Sequence, residues 1–292
     1  RARSHNGVVT FELLRRDIAR DLADLRGHGR IRAADRLSQT TAQQFCATGL
    51  PQYFTGDLTA PFVLVHLNPE QPRGEQPSDL HQGPVPSVAE HMDELRHFGR
   101  LHYGADSGRR RRSLFDLKQV RFLRPFEVID FVAEDTPDAR WINLQRSIDQ
   151  KLQLELIPYQ SPTFSTRGLT PAVLEPHYER LLDTVLAAPR QYVIFCGLEF
   201  RSLLAPWVTR EHVFRLVRKD GTPTAQRYRF SNLLVSSHNG RSMRAGLATS
   251  LPTQIRMSAY AAECAARYHA DPNDERPSNV QVDLSAAPRE DE

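Results

Sequence analysis

The run Phe62-Val63-Leu64-Val65-His66-Leu67 is almost wholly apolar and stops abruptly at Asn68-Pro69-Glu70. A run this short, rich in valine and closed by a turn-forming pair, reads as a strand buried on both faces. Such strands belong to parallel sheets covered by helices on each side. Ligands of those sheets bind beyond the carboxyl ends of the strands. The run therefore delivers Asn68-Pro69 to the edge where a site is expected.

The rest of the chain alternates in the same manner. Phe11, Leu14, Ile18, Leu22 and Leu25 recur at three- and four-residue steps, so residues 10–28 are expected to be an amphipathic helix. Residues 34–47, 87–103, 113–123, 171–187 and 253–268 are read as further helices. Leu152-Gln153-Leu154-Glu155-Leu156-Ile157 is a second strand, stopped by Pro158. Tyr192–Cys196 is a third, which Gly197 turns into a helix ending near Pro206. Residues 226–235 supply a fourth, followed by Ser236-Ser237-His238-Asn239-Gly240. Pro69, Pro72, Pro77, Pro84 and Pro86 mark a long loop after the first strand.

Alternating strands and helices imply right-handed crossovers. The expected fold is α/β: a three-layer α/β/α sandwich around a central, mostly parallel four-stranded sheet. It should form one domain over residues 1–270. Residues 1–58 would be a helical extension and about 70–140 an insertion. The tail 271–292, rich in Pro, Asp, Glu and Ser, is expected to be disordered.

Composition narrows the function. No apolar run approaches membrane-spanning length, and residues 1–7 lack the apolar core of a secretory signal. Cys46, Cys196 and Cys264 are widely spaced and cannot form a closed disulfide set, so a reduced, cytoplasmic setting is expected. His81, His91, His97 and His102 have no compact ligand spacing, so neither a metal nor a cofactor is expected. Phosphate-cradling glycine motifs are absent, which sets aside P-loop and dinucleotide-dependent enzymes. Of 38 basic residues only Lys118, Lys151 and Lys219 are lysine, and Arg109 to Arg112 are consecutive. Arginine's planar fork suits phosphate, so this run, Arg110 and Arg111 included, is either a solvated loop or a nucleic-acid contact.

Three polar signals follow strands in order: Asn68-Pro69, Glu155 with Pro158, and His238. In order and spacing, over roughly residues 60–265, they resemble the uracil-DNA glycosylase superfamily. Leu67-Asn68-Pro69-Glu70 is similar to the Met-Asn-Pro-Gly motif of single-strand-selective and related members. Glu155-Leu156-Ile157-Pro158 stands where that family carries Asn-x-x-Pro, and His238-Asn239-Gly240-Arg241-Ser242 where it carries His-Pro-Ser. The chain departs from the pattern in lacking a glycine after Pro69 and a proline after His238.

The resemblance implies a DNA glycosylase that flips a base out of double-stranded DNA, acting as a monomer without a cofactor. Breaking the glycosidic bond leaves an oxocarbenium-like sugar and an anionic base. Asn68 would orient the attacking water, Glu70 is a candidate base, and His238 would stabilise the departing anion. Glu155, His66 and an aromatic ring, Tyr159 or Phe164, would bind the base. Tyr103 is a further candidate for the ring. Ser237, Asn239, Arg241, Ser242 and Arg244 would contact DNA.

Glu155 in place of asparagine bears on base choice. Cytosine offers an amino donor that a carboxylate accepts, and a protonated carboxyl also donates to N3. Uracil mismatches such a group, so a cytosine-type base is expected. Removal of ordinary cytosine would destroy the host genome. The expected target is therefore a modified cytosine, hydroxymethylated or glucosylated as in phage DNA, in an antiviral role. Repair of uracil or damaged pyrimidines, a catalytically inactive nucleic-acid binder, and a hydrolase of free nucleosides remain open from sequence.

Overall fold

The computed structural model describes residues 10–69, 83–105, 107, 113–136, 138–217, 220–222, 229–248, 257–271 and 278–281. Glu70, Arg110 and Arg111 lie outside the described residues.

The helical spacing of the N-terminal segment becomes α1 (Glu12–His28), which buries Leu14, Ile18, Leu22 and Leu25 and ends at Gly29, φ 67°. Then come α2 (Arg32–Thr41), β1 (Phe54–Gly56) and β2 (Phe62–His66). The segment 87–103 is two helices, α3 (Val88–Arg96) and α4 (Phe98–Tyr103). A reciprocal cap between Ser87 and Glu90 starts α3. Next are α5 (Leu114–Leu123), α6 (Ala139–Asp149), β3 (Leu152–Glu155), α7 (Pro171–Leu186), β4 (Tyr192–Cys196) and α8 (Glu199–Leu203). The chain then forms β5 (Val208–Val217), β6 (Arg229–Ser236), β7 (Ser242–Ala248), α9 (Met257–Arg267) and β8 (Ser278–Gln281).

The α/β class stands, but the sheet corrects the expected four mostly parallel strands. Among the described residues it has eight, in the order β1-β3-β2-β4-β7-β6-β5-β8. Four pairings are parallel and three antiparallel. The parallel core β3-β2-β4-β7 does contain four strands, yet its last member is β7 and not residues 226–235. Those residues contribute β6, which runs antiparallel between β5 and β7. Ser242 and Arg244, expected in a DNA-binding loop, are on strand β7. Ser278–Gln281 pair with β5, so the expected disordered tail supplies an edge strand. Strand β5 escapes sequence reading because its Arg210, Glu211 and Arg215 are exposed, and its pattern is that of a half-solvated antiparallel strand.

Alternation along the strands divides the core. Val63, Val65, Leu152, Leu154, Val193 and Phe195 face α1, α3 and α7. Phe62, Leu64 and Ile194 face the other way, against α5 and α9. On that second side Tyr103, Val120, Leu144 and Ile148 join α4, α5 and α6.

A buried polar knot ties α1 to the sheet. The Asp21 carboxylate, fully buried, accepts from Tyr53 Oη at 2.7 Å, Tyr159 Oη at 2.9 Å and Arg20 Nε at 2.9 Å. Arg180 of α7 donates to Leu156 O at 2.8 Å, and its guanidinium lies over the Tyr53 ring. Gly56 closes β1 at φ 86°, and a Cβ there would collide with the backbone oxygens of Lys151 and Ile148. Gly56→Ala should therefore destabilise the fold by roughly 3 kcal/mol or more, through strain and displacement together. Urea unfolding measures it, and a loss below about 1 kcal/mol would contradict the contact.

Candidate active site

The carboxyl ends of β2, β3 and β4 form one edge. His66 is opposite Glu155 in the β2–β3 register. Val65 is opposite Phe195, so His66 is level with Cys196. Residues opposite one another share a face. Glu155, His66 and Cys196 thus form a row of titratable groups across three adjacent strands. The row floors a cleft of about 490 Å³, walled by Asn68, Pro69, Phe98, Phe115, Asp116, Gln153 and Phe164.

The Asn68 loop is fastened beside the end of β3. Leu156 N donates to His66 O and Ile157 N to Leu67 O, both at 2.9 Å. Asn68 Nδ2 donates to Ser161 Oγ at 2.7 Å, to Tyr159 O at 3.2 Å and to Pro69 O at 3.1 Å. Two carbonyl acceptors identify that atom as the nitrogen. The side-chain oxygen of Asn68 is thereby left for a ligand or a water.

Glu155 is 3% exposed, and among the described residues its Oε2 has no hydrogen-bond partner. Its Oε1 accepts from Gln153 Nε2 at 2.9 Å. Burial pushes its carboxyl up to about 8, against the opposing pull of the Gln153 hydrogen bond and the Lys151 charge. Burial therefore favours the protonated acid. Beside it, His66 Nε2 is also buried without a partner. Burial, and then the Lys151 charge, push this imidazole down to about 3, so it too is neutral. Phe115 meets the His66 ring edge-on, centroids 5.4 Å apart. Burial pushes the Cys196 thiol up to about 12, which keeps it a thiol.

The structure brings together Asn68, His66, Glu155 and Phe164 of the residues named from sequence. It separates His238 from them. Strand β7 runs parallel to β4, with Ile194 opposite Gly246 and Cys196 opposite Ala248. The turn preceding β7 is therefore at the opposite edge of the sheet. His238 stands there, 59% exposed, 3.5 Å from Glu175 and 3.3 Å from Glu179 of α7. A histidine paired with surface carboxylates at that edge cannot stabilise a base held against Glu155. Apart from Arg110 and Arg111, which lie outside the described residues, the other residues expected to contact DNA share this hairpin. Arg241 pairs with Asp183 at 3.0 Å, and Arg244 donates to Ala270 O. Ser237 is buried, and its Oγ accepts from Asn239 N. Ser242 opens β7, opposite Ser236. Tyr159 is 1% exposed with its hydroxyl on Asp21, so it belongs to the structural knot and does not stack on a ligand. Residues 249–256, which follow the carboxyl end of β7, lie outside the described residues.

Sequence reading missed Lys151, Gln153, Cys196, Asp116, Phe98 and Phe115. For Gln153 a signal existed: polar residues at 153 and 155 alternate on a buried strand, so Gln153 shares a face with Glu155, while Lys151 immediately precedes that strand. Phe115 and Phe98 come from helices whose docking no local pattern announces. Among the described residues, no group of three or more His, Cys, Asp or Glu could hold a metal ion. No described helix is long and apolar enough to cross a membrane. The chain matches no protein-family model, and neither the curated proteins nor the solved structures contain a significant match to it.

Proposed function

We propose that this cleft receives a base flipped out of DNA, a modified cytosine, and that the protein hydrolyses its glycosidic bond. The observation that carries the reading is Glu155 in the lining of the cleft, buried so that its protonated form is favoured, with one oxygen engaged by Gln153 and the other, among the described residues, buried without a partner. Cytosine N3 is an acceptor that such an O–H satisfies. The N3–H of uracil would meet it donor to donor, leaving buried groups unpaired at about 1–3 kcal/mol.

The residues give the heterolysis a proton inventory. As C1′–N1 breaks, its electron pair passes into the base. The Glu155 proton moves to N3, so the base departs neutral. The water held by the Asn68 oxygen attacks C1′ and releases its proton to solvent. His66, in the tautomer protonated on Nε2, donates to the base and takes the part that sequence assigned to His238. Phe164 and Phe115 offer ring faces or edges to the base. The cleft leaves room for a substituent on the ring, as hydroxymethylated or glucosylated phage cytosines require. An antiviral role is the biological setting proposed.

Duplex oligonucleotides carrying one hydroxymethylcytosine, glucosylated hydroxymethylcytosine, cytosine or uracil test the reading. The expected result is release of modified cytosine, with alkali-labile abasic sites and at least tenfold less from uracil. Retarded DNA without abasic sites would identify a binder instead. Release of uracil alone would overturn the assignment of the base.

A further inference from the structure

We propose that Lys151, Gln153 and Glu155 form a one-way row of hydrogen bonds whose direction sets the choice of base, with Lys151 and Gln153 as positioning residues. The inference rests on the cleft being a nucleobase site. It goes further by naming what decides the polarity of that site.

Gln153 and Glu155 occupy alternate positions of β3 and project from the same face, and Lys151 immediately precedes the strand. Lys151 is wholly buried. Its ammonium group can only donate. Its Nζ lies 3.2 Å from Gln153 Oε1, and Gln119 Nε2 donates to the same oxygen at 3.3 Å. Two donors on one atom fix it as the amide oxygen. The Gln153 nitrogen must then face Glu155 Oε1, where it donates at 2.9 Å. That bond makes Oε1 the accepting oxygen of Glu155. In the protonated acid the proton then belongs on Oε2, the carboxyl oxygen that among the described residues has no partner, on a residue that lines the cleft. Donation runs from Lys151 to Gln153, from Gln153 to Glu155, and from Glu155 to the ligand. The row can end only on an acceptor, such as cytosine N3.

The charged or titratable groups around Glu155 are His66 on β2, Cys196 on β4 and Lys151 beside it, with Asp116 of α5 across the cleft. Arg180 of α7 donates to the Glu155 backbone carbonyl. Among the described residues, Lys151 is the cation that holds the Glu155 carboxyl down against burial, after the Gln153 hydrogen bond. It is itself pushed down to about 8 by burial, partly offset by Asp116.

Gln153→Glu places an acceptor where the row now donates to Glu155. The Glu155 proton then turns inward, and an acceptor faces the cleft. The variant is expected to lower the ratio of modified-cytosine to uracil release at least tenfold, and an unchanged ratio would overturn the proposal. Lys151→Met is expected to move the alkaline limb of the excision profile to higher pH by about one unit. A limb that does not move would overturn it also. The same shift is expected without substrate, in urea unfolding as a function of pH, with Glu155→Gln as the reference lacking the titration. Wild-type protein that releases no base would defeat the glycosylase reading, while the unfolding series would still decide whether Lys151 governs Glu155.

Discussion

Glu155→Gln is expected to lower base excision by about 10²–10⁴-fold, the usual contribution of a positioned acid. The amide can still accept from Gln153 and donate an N–H toward the cleft. It cannot give up a proton. The loss should therefore fall on kcat, with KM nearly unchanged, which separates proton transfer from positioning. Stability should respond in the opposite sense. Burial raises the folded-state pKa of Glu155 from about 4.5 to about 8. The stability linked to this group is fully present below pH 4.5 and is lost as pH rises through 8. The variant has no such loss, so at pH 9 it should be more stable than the wild type. Single-turnover excision at pH 7, with urea unfolding at pH 6 and 9, checks both. A variant that excises normally, or that is destabilised equally at both pH values, would remove Glu155 from the chemistry.

Asp21→Ala should cost roughly 3–5 kcal/mol, the largest stability effect expected of any one side chain here. The carboxylate is fully buried and holds Tyr53, Tyr159 and Arg20. Truncation leaves the Tyr53 and Tyr159 hydroxyls facing a void, and desolvated groups without partners are expensive, whereas Arg20 keeps Asp17 at 3.3 Å and access to water. The knot joins α1 to the segments leading into β1 and out of β3. Its loss should loosen the cleft's supporting wall and lower Tm by roughly 10 °C. Calorimetry measures this, and a change of one or two degrees would show the knot to be dispensable. Tyr159→Phe keeps the ring and removes one of the three donors. It should produce a much smaller loss, about 1 kcal/mol.

These expectations depend on residues that the sequence reveals unequally. Asn68 was legible because an apolar run ending in Asn-Pro is a local signal for a strand end. Glu155 was legible for a related reason, lying on an alternating segment stopped by Pro158. Tyr159 looked equally close to the pocket, since it follows Glu155 by four residues. Its partner is Asp21, 138 positions earlier, and nothing local signals that contact. His238 illustrates the limit most sharply. It does follow a strand, as its sequence context implies. That strand runs against the parallel core, so its end points to the wrong edge.

The chain by itself determined β2, β3, β4 and most of the helices, since periodicity and turn chemistry act over a few residues, but not β5, β7 or β8. It also determined that Asn68 and Glu155 stand at strand ends. Only the tertiary structure decided which strands pair, in which direction, and hence which ends share an edge. It also decided the charge of Glu155, because a carboxyl ionises or stays neutral according to the water and cations around it. Lys151 and Gln153 are close by in sequence, but the burial that outweighs them comes from packing against elements distant in the chain.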